Sequence, residues 1–129
     1  MTLIDLFVVD VEHSVAFYEA LGFERRRQRG DWVQLARGGA LLVVQGDTHA
    51  VAGGHYFSPY IDRRPRGVGV EVVVEVDDVD ALHAAARERG IDIVKPLQLR
   101  PWAARDFRVA DPDGYFIRFT SKLGVNDAA

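Results

Sequence analysis

The sequence predicts an α+β fold, with two tandem βαβββ units forming a curved mixed-sheet cleft. Three observations predict it. The chain repeats itself: Asp10-Val11 and Asp78-Val79 each open an acidic, helix-like stretch, and Gly22-Phe23 and Gly90-Ile91 close them, at one offset (78 − 10 = 90 − 22 = 68). Each stretch follows an apolar strand candidate, LIDLFVV in the first half and VEVVVEV in the second. Each is followed by three more strand candidates, the third of them led by glycine. A repeat of this length is one supersecondary unit used twice.

The elements follow in order. In the first helix Val11, Val15 and Tyr18 fall at i, i+4 and i+7, with Leu21 next, so one stripe packs on a sheet. The first unit, about residues 3–46, continues with FERRRQR, DWVQLAR and GALLVVQ. The cluster Arg25-Arg26-Arg27 with Arg29 reads as a solvated strand face at a sheet edge. In the second helix Val79, Leu82 and Ala86 make the stripe; Asp77, Asp78 and Asp80 crowd its N-terminus, and Arg87 and Arg89 its C-terminus, as the helix dipole favours. Gly22 and Gly90 stand where left-handed C-terminal caps are expected. The second unit, about 68–121, continues with IDIVKPL, ARDFRVA and GYFIRFT, and residues 122–129 read as a tail.

Strand alternation sorts side chains onto two faces. Leu6, Val8, Val33, Leu35, Leu42, Val44, Val72, Val74, Val76, Phe107, Val109, Ile117 and Phe119 form aliphatic or aromatic sets that should meet the helices. The opposite faces carry Asp5, Phe7, Trp32, Gln34, Val43, Gln45, Glu71, Glu75, Arg108, Phe116, Arg118 and Thr120. That mixture is too polar for a dry core and too aromatic for a plain surface, and it is the usual lining of a small-molecule cleft. Between the units, residues 47–67 read as a connecting loop punctuated by Gly, Pro and Ser. Its aromatics Tyr56, Phe57 and Tyr60 suit either a cover over the cleft or packing onto the body of the protein.

Composition narrows the functional classes. The 129 residues suit one domain made of two joined halves, and 48% apolar content allows a real core. A net charge of −3 with both signs mixed along the chain argues against nucleic acid as a partner. The absence of cysteine excludes disulfides, thiolate metal sites and cysteine nucleophiles. MTLIDLFVVD has no basic segment and does not read as a signal peptide, and no apolar run approaches the ~20 residues that span a bilayer. The expectation is a soluble, cytoplasmic protein with no membrane partner.

DVEHSVAFYEALGF (10–23), VDDVDALHAAARERGI (76–91) and DPDGYFIRF (111–119) resemble the vicinal oxygen chelate superfamily, which includes glyoxalase I, extradiol dioxygenases and bleomycin-resistance proteins. The resemblance implies one divalent metal held by the first and last strand of each unit. Register carries those positions onto Leu3, Val43, Glu71 and Arg118, of which only Glu71 offers a ligand atom suited to such an ion. Asp5 lies two residues beyond Leu3 on the same face. No metal and no other cofactor is therefore expected. Glu71 and Arg118 should instead sit side by side as an ion pair.

PWAARDFRV (101–109) followed by DPDG further resembles a PWG-x-REF-x-x-x-DPxGN pattern of bleomycin-resistance proteins. Ala103 or Ala104 stands where that pattern has glycine, and Tyr115 where it often has asparagine. This branch implies a homodimer with ligand grooves at the subunit interface. The function so implied is non-catalytic sequestration of a small aromatic or cationic antibiotic or natural product. Its ligand-binding residues would be Asp5, Phe7, Trp32, Gln34, Tyr56, Phe57, Tyr60, Glu71, Trp102 and Arg118, with no catalytic residue. The alternative is a metal-dependent glyoxalase- or dioxygenase-type enzyme. A metal-free enzyme with Glu71 as general base is disfavoured by the neighbouring Arg118, which would engage that carboxylate.

Overall fold

The computed structural model describes residues 1–122; the remainder of the expected tail lies outside them. The chain divides into two compact units, Met1–Arg66 and the part from Gly67 onward. Both are βαβββ units, and the α+β class predicted from the repeat is the class observed.

The first unit runs β1 (Ile4–Val8), α1 (Val11–Ala20), β2 (Glu24–Arg29), β3 (Trp32–Arg37) and β4 (Ala40–Gly46). Its sheet has the order β1-β4-β3-β2, with β1 parallel to β4 and the other pairs antiparallel. The second unit runs β5 (Glu71–Glu75), α3 (Val79–Glu88), β6 (Ile93–Leu99), β7 (Arg105–Ala110) and β8 (Phe116–Thr120), in the order β5-β8-β7-β6. First and last strands are thus parallel neighbours in each unit, an arrangement that the helical crossover after the first strand permits.

The helices start and stop where their sequences say. Asp10 Oδ1 accepts from His13 N at 3.1 Å, and Asp78 Oδ1 from Ala81 N at 3.0 Å. Each cap satisfies one backbone donor that the first helical turn leaves open. Gly22 (φ 89°) and Gly90 (φ 70°) take the left-handed conformation beyond the helix ends.

Alternation then builds the core. In the first unit Leu6, Val8, Val33, Leu35, Leu42 and Val44 are buried with Val15 and Tyr18 of α1. In the second, Val72, Val74, Phe107, Val109, Ile117 and Phe119 are buried with Val79, Leu82 and Ala86 of α3. Phe107 and Phe119 are register partners and stack with centroids 5.4 Å apart. Burying one such side chain is worth about 1.5–3 kcal/mol.

One reading is corrected here and one is refined. Residues 47–67 are not simply a connecting loop: they contain α2 (Asp47–Ala52) and a short 3-10 turn at Ser58–Tyr60, and all but Gly67 belong to the first unit. The segment is fastened by Arg66, whose Nη1 donates to Asp47 Oδ1 (2.6 Å) and Phe7 O (2.8 Å). Its Nη2 donates to Asp47 Oδ2 (2.7 Å) and Ile61 O (2.6 Å). β2 is the solvated edge strand that its arginine run suggested, with all six residues exposed. A bulge between Arg25 and Arg27 sends them to opposite sides: Arg25 opposes Leu35, and Arg27 opposes Gln34. Arg25 pairs with Glu12 of α1 at 2.9 Å, while Arg27 joins the face away from the helix.

Candidate functional site

In the first unit, register places Asp5 beside Val43, Phe7 beside Gln45, Gln34 beside Val43 and Trp32 beside Gln45. Arg27 and Arg29 complete this face through their partners Gln34 and Trp32. Asp5 Oδ2 accepts from Gln45 Nε2 at 2.6 Å, so this carboxylate is already engaged. Beside it lies an open groove of about 960 Å³, lined by Arg27, Gln28, Arg29, Trp32 and Gln45 with the turn residues Gly30 and Asp31.

Phe7 does not line an open cleft. It is 7% exposed and clusters with Ala50 of α2 and Ile61. His55 lies over its ring with centroids 4.9 Å apart, and Phe57 meets it edge-on at 5.6 Å. Half of the expectation for the connecting aromatics is therefore packing: Phe57 holds its segment against β1. Tyr56 and Tyr60 are exposed and face each other at 6.1 Å, with the Arg63 guanidinium 5.0 Å from the Tyr60 ring.

The second unit has a different character. Register puts Glu71, Val73 and Glu75 of β5 in line with Phe116, Arg118 and Thr120 of β8, then Ala110, Arg108 and Asp106 of β7, then Lys95 and Gln98 of β6. The arginine in the middle of β8 meets a carboxylate. Arg118 Nε lies 2.8 Å from Glu71 Oε1, an ion pair whose angle falls short of a hydrogen bond. Arg108 Nε is 3.9 Å from the same oxygen. Arg118 Nη1 is 3.8 Å from Asp106 Oδ2, and Asp106 Oδ1 accepts from Arg100 Nε at 2.7 Å. The Arg118 guanidinium also lies 5.9 Å from the Trp102 ring. Glu71, Arg118 and Trp102 are thus brought together, and Asp106, Arg100 and Arg108 join them.

Asp106 was absent from the sequence-based site, although alternation from Arg108 leads to it. It is fully buried, which is expensive for a carboxylate without paired charge. Arg100 reaches it because a tight turn closes β6 onto β7: Arg100 N donates to Ala104 O (2.8 Å), and Ala103 N to Arg100 O (3.0 Å). Ala103, one of the two positions matched to the glycine of the PWG pattern, has φ 67°, a conformation strained for any residue with a Cβ. At the other end of β7, Asp111 Oδ1 accepts from Asp113 N and Tyr115 N, both at 2.9 Å, and organises the DPDG turn into β8.

The register positions implied for a metal do not fit a divalent ion. Leu3 and Val43 supply hydrocarbon, Val43 is fully buried, and Arg118 brings a permanent cation against Glu71. Among the described residues, no three acidic or histidine side chains gather as ligands. His83, on α3, serves structure: its Nε2 accepts from Leu97 N at 3.3 Å, and its ring meets Phe107 edge-on at 5.1 Å. Burial, helped by Arg87 and opposed by Asp80, holds its pKa below the usual histidine value.

Comparison with known proteins agrees with this architecture. The family described as "Glyoxalase/Bleomycin resistance protein/Dioxygenase superfamily" matches residues 1–119. No curated protein matches the chain. Among solved structures, TioX from Micromonospora sp. ML1 is 28% identical, with a TM-score of 0.71 over 95% of this chain and 98% of that one. A glyoxalase/bleomycin resistance protein/dioxygenase from Nocardioides is 26% identical, with a TM-score of 0.74 over 96% and 83%. A bleomycin-binding protein complexed with bleomycin shares the fold at 22% identity, with a TM-score of 0.67 over 95% and 98%. Among the described residues no helix is long and apolar enough to cross a membrane.

Proposed function

Because the chain belongs to the glyoxalase/bleomycin resistance protein/dioxygenase superfamily, we propose that it binds and sequesters a small aromatic natural product without transforming it. The observation that carries this reading is the groove of about 960 Å³ beside Trp32, whose indole shares its walls with Arg27, Arg29 and Gln45. An indole flanked by polar hydrogen-bonding groups suits stacking of a planar ligand with oriented contacts at its rim. Sequestration needs no nucleophile or base, and the Leu3, Val43, Glu71 and Arg118 set supports no metal chemistry at those positions. Bleomycin, bound by one similar structure, is one candidate ligand. The aromatic half of the expected ligand class is favoured over the cationic half, since Asp5 is engaged by Gln45 and Glu71 by Arg118.

As part of this reading, the two units work as one domain, two copies form a homodimer with the ligand grooves at their interface, and the protein acts in the cytoplasm. The test is fluorescence titration of the whole protein with bleomycin and other aromatic antibiotics, beside metal analysis of protein purified without chelator. Saturable quenching that weakens in W32A supports the reading. Stoichiometric metal, or a saturable rise in melting temperature with nickel, manganese, iron(II) or zinc, overturns it in favour of an enzyme. Light scattering with and without ligand checks the dimer.

A further inference from the structure

The charges on the second sheet do not cancel, and the imbalance identifies a ligand chemistry. On the face away from α3 stand Glu71, Glu75 and Asp106 against Lys95, Arg108 and Arg118, with Arg100 reaching in from the β6–β7 turn. Three carboxylates face four cations, an excess of one positive charge.

The excess can be located. Arg100 is held by Asp106 at 2.7 Å, and Arg118 by Glu71 at 2.8 Å. Arg108 has its closest carboxylate oxygen at 3.9 Å, on the Glu71 that Arg118 already occupies. The unmatched polar atoms tell the same story. Arg100 Nη2, Arg108 Nε and Arg118 Nε are buried donors without a hydrogen-bond partner, against one such acceptor in the cluster, Asp106 Oδ2. Asp106 is fully buried and aimed toward Arg118, and leaving such groups unmatched costs about 1–3 kcal/mol each. An incoming group with oxygen acceptors and negative charge would answer both imbalances. A cation would worsen both.

The surroundings set the rest of the ligand. The Arg108 side chain is 21% exposed, so it is reachable, and it lies beside Arg118, its register partner on β8. The Trp102 ring stands 5.9 Å from the Arg118 guanidinium. Phe116, half-buried, projects from the same face one pleat away. Two guanidinium groups next to aromatic faces suit a planar aromatic ring carrying an oxyanion.

We propose that the face of the second sheet away from α3 binds an organic oxyanion carried on an aromatic ring, with Arg108 as its counter-charge, Arg118 as the second donor and Trp102 as the stacking platform. This goes beyond the small-molecule reading at the Trp32 groove: it assigns the second unit a ligand chemistry of its own. Glu71 is then a competitor for the site: the ligand's oxyanion and the Glu71 carboxylate share the same two arginines.

The experiment uses the whole protein with W32F, so that Trp102 is the sole indole reporter, and three probes: 2-naphthoate, 2-naphthalenemethanol and 2-naphthylmethylammonium. Naphthoate should quench Trp102 saturably and bind at least tenfold more tightly than the alcohol, while the ammonium probe should not saturate. R108Q should weaken naphthoate about tenfold and R108K should keep most of the affinity. E71Q should tighten it, an outcome that a folding defect does not produce. Equal binding of the three probes, absence of naphthoate binding, or a preference that survives R108Q would overturn the proposal. Aromatic antibiotics that bind wild type and R108Q alike, with no preference among the probes, would sink the oxyanion site and keep the sequestration reading. Arg108-dependent naphthoate binding with no antibiotic bound would do the reverse.

Discussion

Strands β1 and β4 turn Asp5, Phe7, Val43 and Gln45 away from α1; strands β5 and β8 turn Glu71, Val73, Phe116 and Arg118 away from α3. The backbone plan is the same and the helix-facing cores are alike in kind. The difference lies on the other side of each sheet. In the first unit that side is partly covered by the chain's own α2 and Phe57, which leave Phe7 only 7% exposed, while Asp5 is tied to a neutral amide. In the second it is filled by paired charges: a buried aspartate and a glutamate one-third exposed, against three arginines of which Arg108 is the least closely matched. A sheet face without a helix thus has two physical solutions, cover and mutual charge pairing, and this chain uses one in each unit.

The cover is the easier to break. Removing Arg66 strips Asp47 of a bidentate partner and leaves the Phe7 and Ile61 carbonyls without that donor. With its side chain 6% exposed, R66A should cost about 3–5 kcal/mol in urea unfolding. Hydrogen exchange should speed up first over residues 47–61. Uniform acceleration across both units would show that the strap is not local.

Charge pairing should yield less. A double-mutant cycle of E71Q and R118M should give a coupling of about 1 kcal/mol, low in the usual range because Glu71 keeps a third of its side chain exposed. A coupling near zero would mean that Arg118 is satisfied by Asp106 and Trp102 alone. The caps test what the units share. D10A and D78A should each lose about 1 kcal/mol, and nearly equal losses in chemical unfolding are the expected result.

The smallest effect concerns pH. On the second unit's helix, His83 must keep Nε2 unprotonated to accept from Leu97 N. Its folded pKa is depressed below the reference 6.5, so the unfolded chain binds the proton more readily. Stability is therefore complete above pH ~6.5 and declines as pH falls toward the folded pKa. The melting temperature should drop slightly over that window in the wild type, and H83Q should remove this part of the slope.

Much of this was legible from residue spacing. The 68-residue offset gave the units, the period of two assigned Arg118 and Glu71 to one face, and the aspartate caps marked both helices. What was hidden depends on departures from regular spacing or on burial. The β2 bulge moves Arg27 to the groove, which strict alternation from Arg25 forbids. Helix α2 is too short to show a period. Arg66 stands in the charged run RRPRG, where nothing local distinguishes a buried clamp from a solvated neighbour. Arg100 enters the charge cluster through the turn at Ala103, whose left-handed backbone an alanine does not announce.

The pairing of first strand with last has a consequence for synthesis. Ile4 opposes Leu42 and Glu71 opposes Phe116, so β1 and β5 each emerge long before the strands that pair with them among the described residues. Each unit must close a wide loop before its sheet is complete, which makes folding slow compared with helical bundles. On a ribosome, the first sheet can complete once β4 has left the exit tunnel, while β5 remains an open strand until β8 follows. Stalled nascent chains ending after β7 should accordingly protect β1 against proteolysis and leave β5 open to it.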